Sequence, residues 1–166
     1  MNYELKELTE NLIDKELYNM YQDIPNGENG QTNLADGISY EDFIKFINKQ
    51  IERKYNDITY DDTPTLTYIF YVNNKPVGYI CLRTKIDDNW MKWSGNFYYQ
   101  IRKSERRKGY ATNMLLYALD IFRKMNYSEV YGNASNGNIG SQKVIENNGG
   151  IFLYEDHGSN YYKIKL

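Results

Sequence analysis

The chain has 166 residues, 41% hydrophobic and 25% charged, with a formal net charge of −2. That is the length of about one domain on the usual scale of roughly 100–200 residues, enough to bury roughly 68–70% of the unfolded surface without a disulfide or metal staple. The 18 Tyr, 6 Phe and 2 Trp exclude disorder as the general state, because burying so much ring surface offsets the entropy of ordering.

Other classes fall away on residue counts. A single cysteine, Cys81, excludes an intrachain disulfide framework. One Cys and one His, His157, argue against a zinc site, which takes four ligands. No run approaches the roughly 18 apolar residues of a membrane helix, and Met1–Glu10 has no basic start followed by an apolar stretch. The expectation is a soluble, cytoplasmic protein with no metal and no membrane partner.

Taken in order, residues 3–8 read as a short strand. A helix over 10–21 follows, with Thr9 as cap and Ile13, Leu17, Met20 and Tyr21 as its apolar stripe. Pro25, Asn26, Gly27, Asn29, Gly30 and Asp36-Gly37 mark a long loop. Ser39 with Asp42 resembles a capping box, opening a helix to about Tyr55 with Phe43, Ile44, Phe46, Ile47 and Ile51 on one face. Residues 57–63 are an acidic loop. From Thr65 the residues become β-branched and aromatic. Strands over 65–72, 76–86 and 95–103, with turns at Asn73-Asn74 and 87–93, predict an antiparallel meander. The helical period returns over 109–125 through Ala111, Met114, Leu115, Ala118, Leu119, Phe122 and Met125. A strand over 128–134, a helix over 138–148 ending at Gly149-Gly150, and strands over 151–155 and 160–166 complete the chain. The fold class is mixed α/β (α+β): one domain, its mostly antiparallel sheet flanked by helices.

Charge is unevenly spread. Residues 1–94 carry 16 acidic and 10 basic side chains, whereas residues 95–166 carry 6 and 10. Five of the latter basics, Arg102, Lys103, Arg106, Arg107 and Lys108, fall in seven residues, where a strand hands over to the helix that starts at Gly109. A solvated basic loop is one reading. An anion site is the other. Helix-start amides lack intrahelical partners and carry the positive end of the dipole. Small residues such as Gly109 and Ala111 let a phosphate approach the backbone, and flanking cations add charge-assisted hydrogen bonds. The next strand–helix unit repeats the arrangement with Asn138 and Ser141, residues that otherwise simply cap and begin a helix.

With these two motifs the chain resembles the GNAT superfamily of acyl-CoA-dependent N-acetyltransferases, within it a bacterial subgroup of predicted acetyltransferases. Arg106-Arg107-Lys108-Gly109-Tyr110-Ala111 is similar to its pyrophosphate loop, and Asn138-Ile139-Gly140-Ser141 to its Asn-x-x-Ser/Ala helix. The strand Pro76–Ile80 is similar to the one that precedes the site. The resemblance covers about Thr65 to Leu166, with residues 1–60 expected to form a helical, acceptor-side region of the same domain. It implies acetyl-CoA as cosubstrate. Backbone amides of Ile101 and Lys103 would hold the thioester and pantetheine, with Arg102 between them. Amides from Arg107 to Thr112, Tyr110 and Ala111 included, would hold the pyrophosphate beside Arg106 and Lys108. Asn138 would contact the pantetheine, and Ser141 the phosphate or ribose side. The third strand would splay from the 128–134 strand. The implied reaction is attack of a neutral primary amine, from a small molecule or a peptide, on the thioester carbonyl. A base removes the amine proton and backbone N–H groups steady the oxyanion. The resemblance also admits a homodimer.

Two departures stand out. The family's frequent base position holds Asn96, and its frequent acid position holds Ile145. Asn96 and Tyr98, on one strand face by two-residue alternation, are the candidate catalytic residues, as positioners of a water. Substrate lining or structure is the competing role for both. Tyr40, Tyr68, Tyr71 and Tyr79 read as packing or as acceptor-pocket lining, Cys81 as core, and His157 as an exposed turn residue. Asp61, Asp62, Asp87 and Asp88, part of the acidic bias of residues 1–94, read as a solubilising surface or as long-range steering of a cationic amine. The loss of the usual acid and base motivates an alternative, a non-catalytic acyl-CoA-binding or regulatory domain. Nucleic acid is not an expected partner, since the basic patch is short and the net charge negative.

Overall fold

The computed structural model describes residues 1–55, 63–85 and 93–166. The predicted loop over 57–62, Ile86, most of the 87–93 turn, and Asp61, Asp62, Asp87 and Asp88 lie outside the described residues.

The β-rich stretch from Thr65 forms β2 (Thr65–Val72) and β3 (Lys75–Arg83). Asn73 and Asn74 both take positive φ, 49° and 66°, the pairing that a two-residue hairpin turn needs to match strand twist. β4 (Phe97–Ile101) continues the antiparallel meander, and β1 (Tyr3–Glu7) pairs with the free edge of β2. The first segment therefore supplies a strand to the central sheet, in addition to its helices.

α1 (Lys15–Gln22) starts later than the apolar pattern suggests. Its cap is Asp14, whose carboxylate accepts the Leu17 N–H at 2.8 Å. Thr9 precedes only a short 3-10 turn, Glu10–Leu12, and caps nothing with its side chain. α2 (Tyr40–Glu52) is capped as expected, Ser39 Oγ accepting the Asp42 N–H at 3.1 Å. α3 (Tyr110–Lys124), β5 (Glu129–Ser135), α4 (Ile139–Asn147), β6 (Gly150–Asp156) and β7 (Ser159–Lys165) follow the expected order. The β6–β7 hairpin turns at His157-Gly158, both with positive φ, and His157 is an exposed turn residue whose Nδ1 meets Asp156 at 2.8 Å.

The strands form two antiparallel sheets, ordered β1-β2-β3-β4 and β5-β7-β6. Two apolar clusters hold them. α1 and α2 bury Leu17, Met20, Tyr21, Phe43 and Ile47 against Ile69, Tyr71, Tyr79 and Cys81 on one face of the first sheet. α3 buries Met114, Leu115, Leu119 and Phe122 against Phe70, Ile80, Leu82 and Phe97 on the other, together with Val130, Ile145, Tyr162 and Ile164. Tyr71 and Tyr79 thus pack, and Cys81 is core. Burying most of β2 and β3 on both faces makes the first sheet the rigid centre of the domain.

Candidate active site

β4 and β5 belong to different sheets but touch at one point. The Asn96 N–H donates to the Tyr131 carbonyl at 2.7 Å, and Asn96 Oδ1 accepts the Tyr131 N–H at 2.8 Å. The Phe97 ring lies over Gly132 so closely that a Cβ there has no room. Beyond this vertex the two strands pair with other partners, and a cleft of about 590 Å³ opens between β4, the starts of α3 and α4, and the loop between α1 and α2.

One wall is backbone. Arg83 N–H donates to Asn96 O and Arg102 N–H to Val77 O. With the register Cys81↔Tyr98 and Tyr79↔Gln100, the alternation of antiparallel bonding turns Phe97, Tyr99 and Ile101 backbone groups away from β3, toward the splay. Past β4 the chain turns at Arg107 (φ 63°) and Gly109 (φ 76°) before α3. Left-handed residues at this spacing make a concave set of N–H groups that suits an anion. Glycine relieves the Cβ penalty at Gly109, and the space beside it is open. α3 has neither a side-chain cap nor an acidic residue in its first turn, so its dipole end faces the cleft uncompensated. α4 is capped by Asn138, whose Oδ1 accepts the Ser141 N–H at 3.1 Å.

Ile101, Arg106, Arg107, Gly109, Tyr110, Ala111, Thr112, Asn138 and Ser141 all line this cleft. Arg102, Lys103 and Lys108 do not line it. The Arg102 Nε binds Asp23 Oδ2 at 2.9 Å. The Lys103 N–H donates to the Asp23 carbonyl at 2.7 Å, because the 3-10 turn Lys103–Glu105 rotates that amide toward the end of α1. Lys108 Nζ binds Glu105 at 2.7 Å. Arg106 reaches across the cleft, its Nη1 lying 2.7 and 2.9 Å from the two Glu28 carboxylate oxygens and its Nε donating to Ile101 O at 3.0 Å. Those hydrogen bonds hold the Glu28 carboxyl below its ordinary pKa.

The two candidate catalytic residues lie elsewhere. Asn96 is fully buried at the vertex, its side-chain nitrogen directed to Arg83 O, so its polar groups are taken up in joining the sheets. Tyr98 lies on the α2 side of β4, where its hydroxyl accepts from Arg53 at 2.7 Å and Arg83 stacks over its ring. Burial pushes its phenol well above the ordinary value, with Arg53 opposing.

The next residue along, Tyr99, points the opposite way and lines the cleft. Its hydroxyl is 2.7 Å from Ser141 Oγ. Burial pushes the Tyr99 phenol up to about 12, with the Ser141 hydrogen bond opposing, so the hydroxyl keeps its proton throughout the neutral range. Sequence reasoning passed over Tyr99. The available signal was the alternation of apolar and aromatic residues at 97, 99 and 101, which marks the face turned to α3.

Among the described residues, no group of His, Cys, Asp and Glu is arranged to hold a metal, and no helix is long and apolar enough to cross a membrane.

Comparison with known proteins places this architecture. Residues 14–151 match the family model of the acetyltransferase (GNAT) domain. No curated protein sequence is significantly similar. Among solved structures, the N-acetyltransferase PseH of Campylobacter jejuni, bound to acetyl coenzyme A, superposes with a TM-score of 0.64 at 14% identity over 99% of each chain. The Salmonella typhimurium acetyltransferase that modifies the N-terminal serine of ribosomal protein L7/L12 gives 0.63 at 15% identity over 100% of this chain and 96% of that one. A spermidine N-acetyltransferase chimera from Vibrio cholerae and hSSAT gives 0.63 at 18% identity over 99% of this chain and 96% of that one. At these identities the likeness is one of fold.

Proposed function

The chain belongs to the GNAT acetyltransferase family, and from that premise we propose that it transfers an acetyl group from acetyl-CoA to a primary amine of a small molecule or peptide. The observation that carries this reading is the cleft itself, where a concave turn and two helix starts adjoin a strand edge whose backbone groups turn away from β3. We assign the whole chain to one catalytic domain, residues 65–166 binding acetyl-CoA and residues 1–60 forming the acceptor side.

The residues present fit acetyl-CoA. Amides from Arg107 to Thr112 hold the pyrophosphate, with Arg107 supplying positive charge and Arg106, paired to Glu28, beside it. The outward N–H groups of Tyr99 and Ile101 hold the thioester and pantetheine. The thioester supplies an activated acyl carbon. What the chain adds is position and polarisation, since aligning amine and carbonyl removes much of the entropic barrier and fixed N–H donors steady a developing oxyanion. The Tyr99–Ser141 hydroxyl pair, which lines the cleft, is our candidate proton donor to the departing thiolate. The described cleft carboxylates, Glu28 and Glu105, are held by Arg106 and by Lys75 and Lys108. The amine proton therefore leaves to water, and the enzyme uses the fraction of acceptor already neutral.

The alternative, acyl-CoA binding without turnover, draws on Asn96 being committed to the vertex and Ile145 being fully buried. Measuring CoA release with acetyl-CoA and a panel of amines, beside calorimetric binding of acetyl-CoA, separates the two. Amine-dependent release supports the transferase. Tight binding without release supports the binding domain. No binding removes both.

A further inference from the structure

β6 is the outer strand of the second sheet, and among the described residues no strand pairs with its far side. Alternate N–H and C=O groups along that side therefore point outward without a ladder partner. Ile151, Phe152, Leu153 and Tyr154 follow one another along the strand, each 39–54% exposed. Successive strand residues point to opposite faces, so apolar surface is open on both faces of β6 as well as at its edge. The outer strand of the first sheet differs. β1 carries Glu4, Lys6 and Glu7 among its five residues, the charged pattern that keeps an edge from pairing. β6 has no charge before Glu155 and Asp156, which close it. The opposite end is basic. Lys163 lies across from Ile151, and Lys165 follows Ile164, which lies across from Gly150. Glu129, 3.6 Å from Lys163, offsets one of these two charges.

We propose that β6 is the contact of a two-fold homodimer, in which it pairs antiparallel with β6 of a second copy of this chain. The proposal stands apart from the acetyl-transfer reading. Leu153 is the middle residue of β6, and a two-fold axis there sets it against its own symmetry mate, as an isologous contact requires. The same rotation swaps the strand ends. Glu155 and Asp156 of each copy come beside the Lys163–Lys165 end of the other, so both charge contacts attract. A parallel pairing sets acid beside acid instead. The slip in register between Phe152 and Tyr154 also falls at Leu153, so ladder hydrogen bonds form on either side of the axis while Leu153 packs across it. Pairing satisfies the outward backbone groups, covers Ile151–Tyr154 and joins the two three-stranded sheets into one. No residue of β6 lines the cleft, so each copy keeps its own.

The test uses the full chain. Sedimentation equilibrium at about 100 μM is expected to give twice the 19.7 kDa chain mass. Leu153→Lys is expected to raise the dimer dissociation constant about 100-fold with far-UV dichroism unchanged. Asp156→Lys reverses an exposed charge at the strand end and removes no apolar contact. It is expected to raise the constant about tenfold, and adding Lys165→Glu to bring it back. A wild-type chain that stays at the single-chain mass overturns the proposal and leaves the strand to a different protein. A dimer unmoved by Leu153→Lys overturns it by placing the contact elsewhere. A double variant no tighter than Asp156→Lys alone overturns the antiparallel arrangement.

Discussion

The wall of the cleft at Arg107–Gly109 is made of backbone, while the side facing it is held by side chains that join segments far apart in sequence. On the first, Arg107 and Gly109 adopt left-handed conformations and α3 begins without a cap. On the second, Glu28 binds Arg106 at the lining, and behind it Asp23 binds Arg102 and Ser104. A backbone site tolerates changes in many side chains provided its few conformational requirements hold. A side-chain wall changes with single substitutions, which suits the part of an enzyme that selects its substrate. Perturbing the first wall should therefore abolish cosubstrate binding, and perturbing the second should alter selectivity and loop stability.

The largest effect expected is from Gly109→Asp. It places a negative charge beside the proposed pyrophosphate and a side chain where φ is 76°. Acetyl-CoA affinity should fall about 100-fold, or about 2.7 kcal/mol, by calorimetry. An equal loss from Asp23→Ala would erase the contrast between the walls. Next is Tyr99→Phe, which removes the hydroxyl bonded to Ser141. We expect kcat to fall about 10–100-fold with acetyl-CoA affinity nearly unchanged. An unchanged kcat would leave proton delivery to solvent.

Asp23→Ala tests the side-chain wall through stability. Burial raises the Asp23 pKa, but hydrogen bonds from Ser104 and Arg102 outweigh it and leave the carboxyl below its ordinary value. Losing those charge-assisted bonds should destabilise the fold by about 1.5–3 kcal/mol, read by urea denaturation. Because the folded-state pKa is depressed, this contribution is present above the unfolded value near 3.8 and is lost as pH falls through the lower folded value. Glu28→Gln should be milder, within about 1 kcal/mol, since the Glu28–Arg106 pair is partly exposed.

The tyrosines impose the opposite limit. Burial holds Tyr99 and Tyr71 up to about 12, and raises Tyr98 well above the ordinary 10. Unfolded tyrosines ionise first, near 10, so the folded state holds more protons above that pH. Stability should fall as pH rises from about 10 through about 12, with phenolate absorbance appearing together with unfolding. Ionisation of all these phenols near 10 without unfolding would contradict their burial.

The same division governs what the residues announced in advance. The turn at Arg106–Thr112 and the helix start at Asn138 were legible because turns and helix starts depend on local conformation, which local sequence encodes. The order of strands and helices was legible because period and turn residues are local too. Asn96 was not. Its chemistry admitted a water-positioning role, but only the approach of Tyr131, distant in sequence, shows its atoms to be taken up in joining two sheets. Tyr98 and Tyr99 were indistinguishable by type. Which face of β4 meets the cleft depends on how α2 and α3 cover the sheet. Asp14 displaced Thr9 as the α1 cap because both are good caps and tertiary packing chose the later start.

The measurement that tests the central claim most directly compares acetyl-CoA with acetyl-pantetheine, which lacks the nucleotide and pyrophosphate, by calorimetric titration of the same protein. If the turn at Arg107–Gly109 and the start of α3 hold the pyrophosphate, acetyl-CoA should bind at least about 100-fold more tightly. Gly109→Asp should abolish most of that difference. Equal affinity for the two compounds would contradict the account.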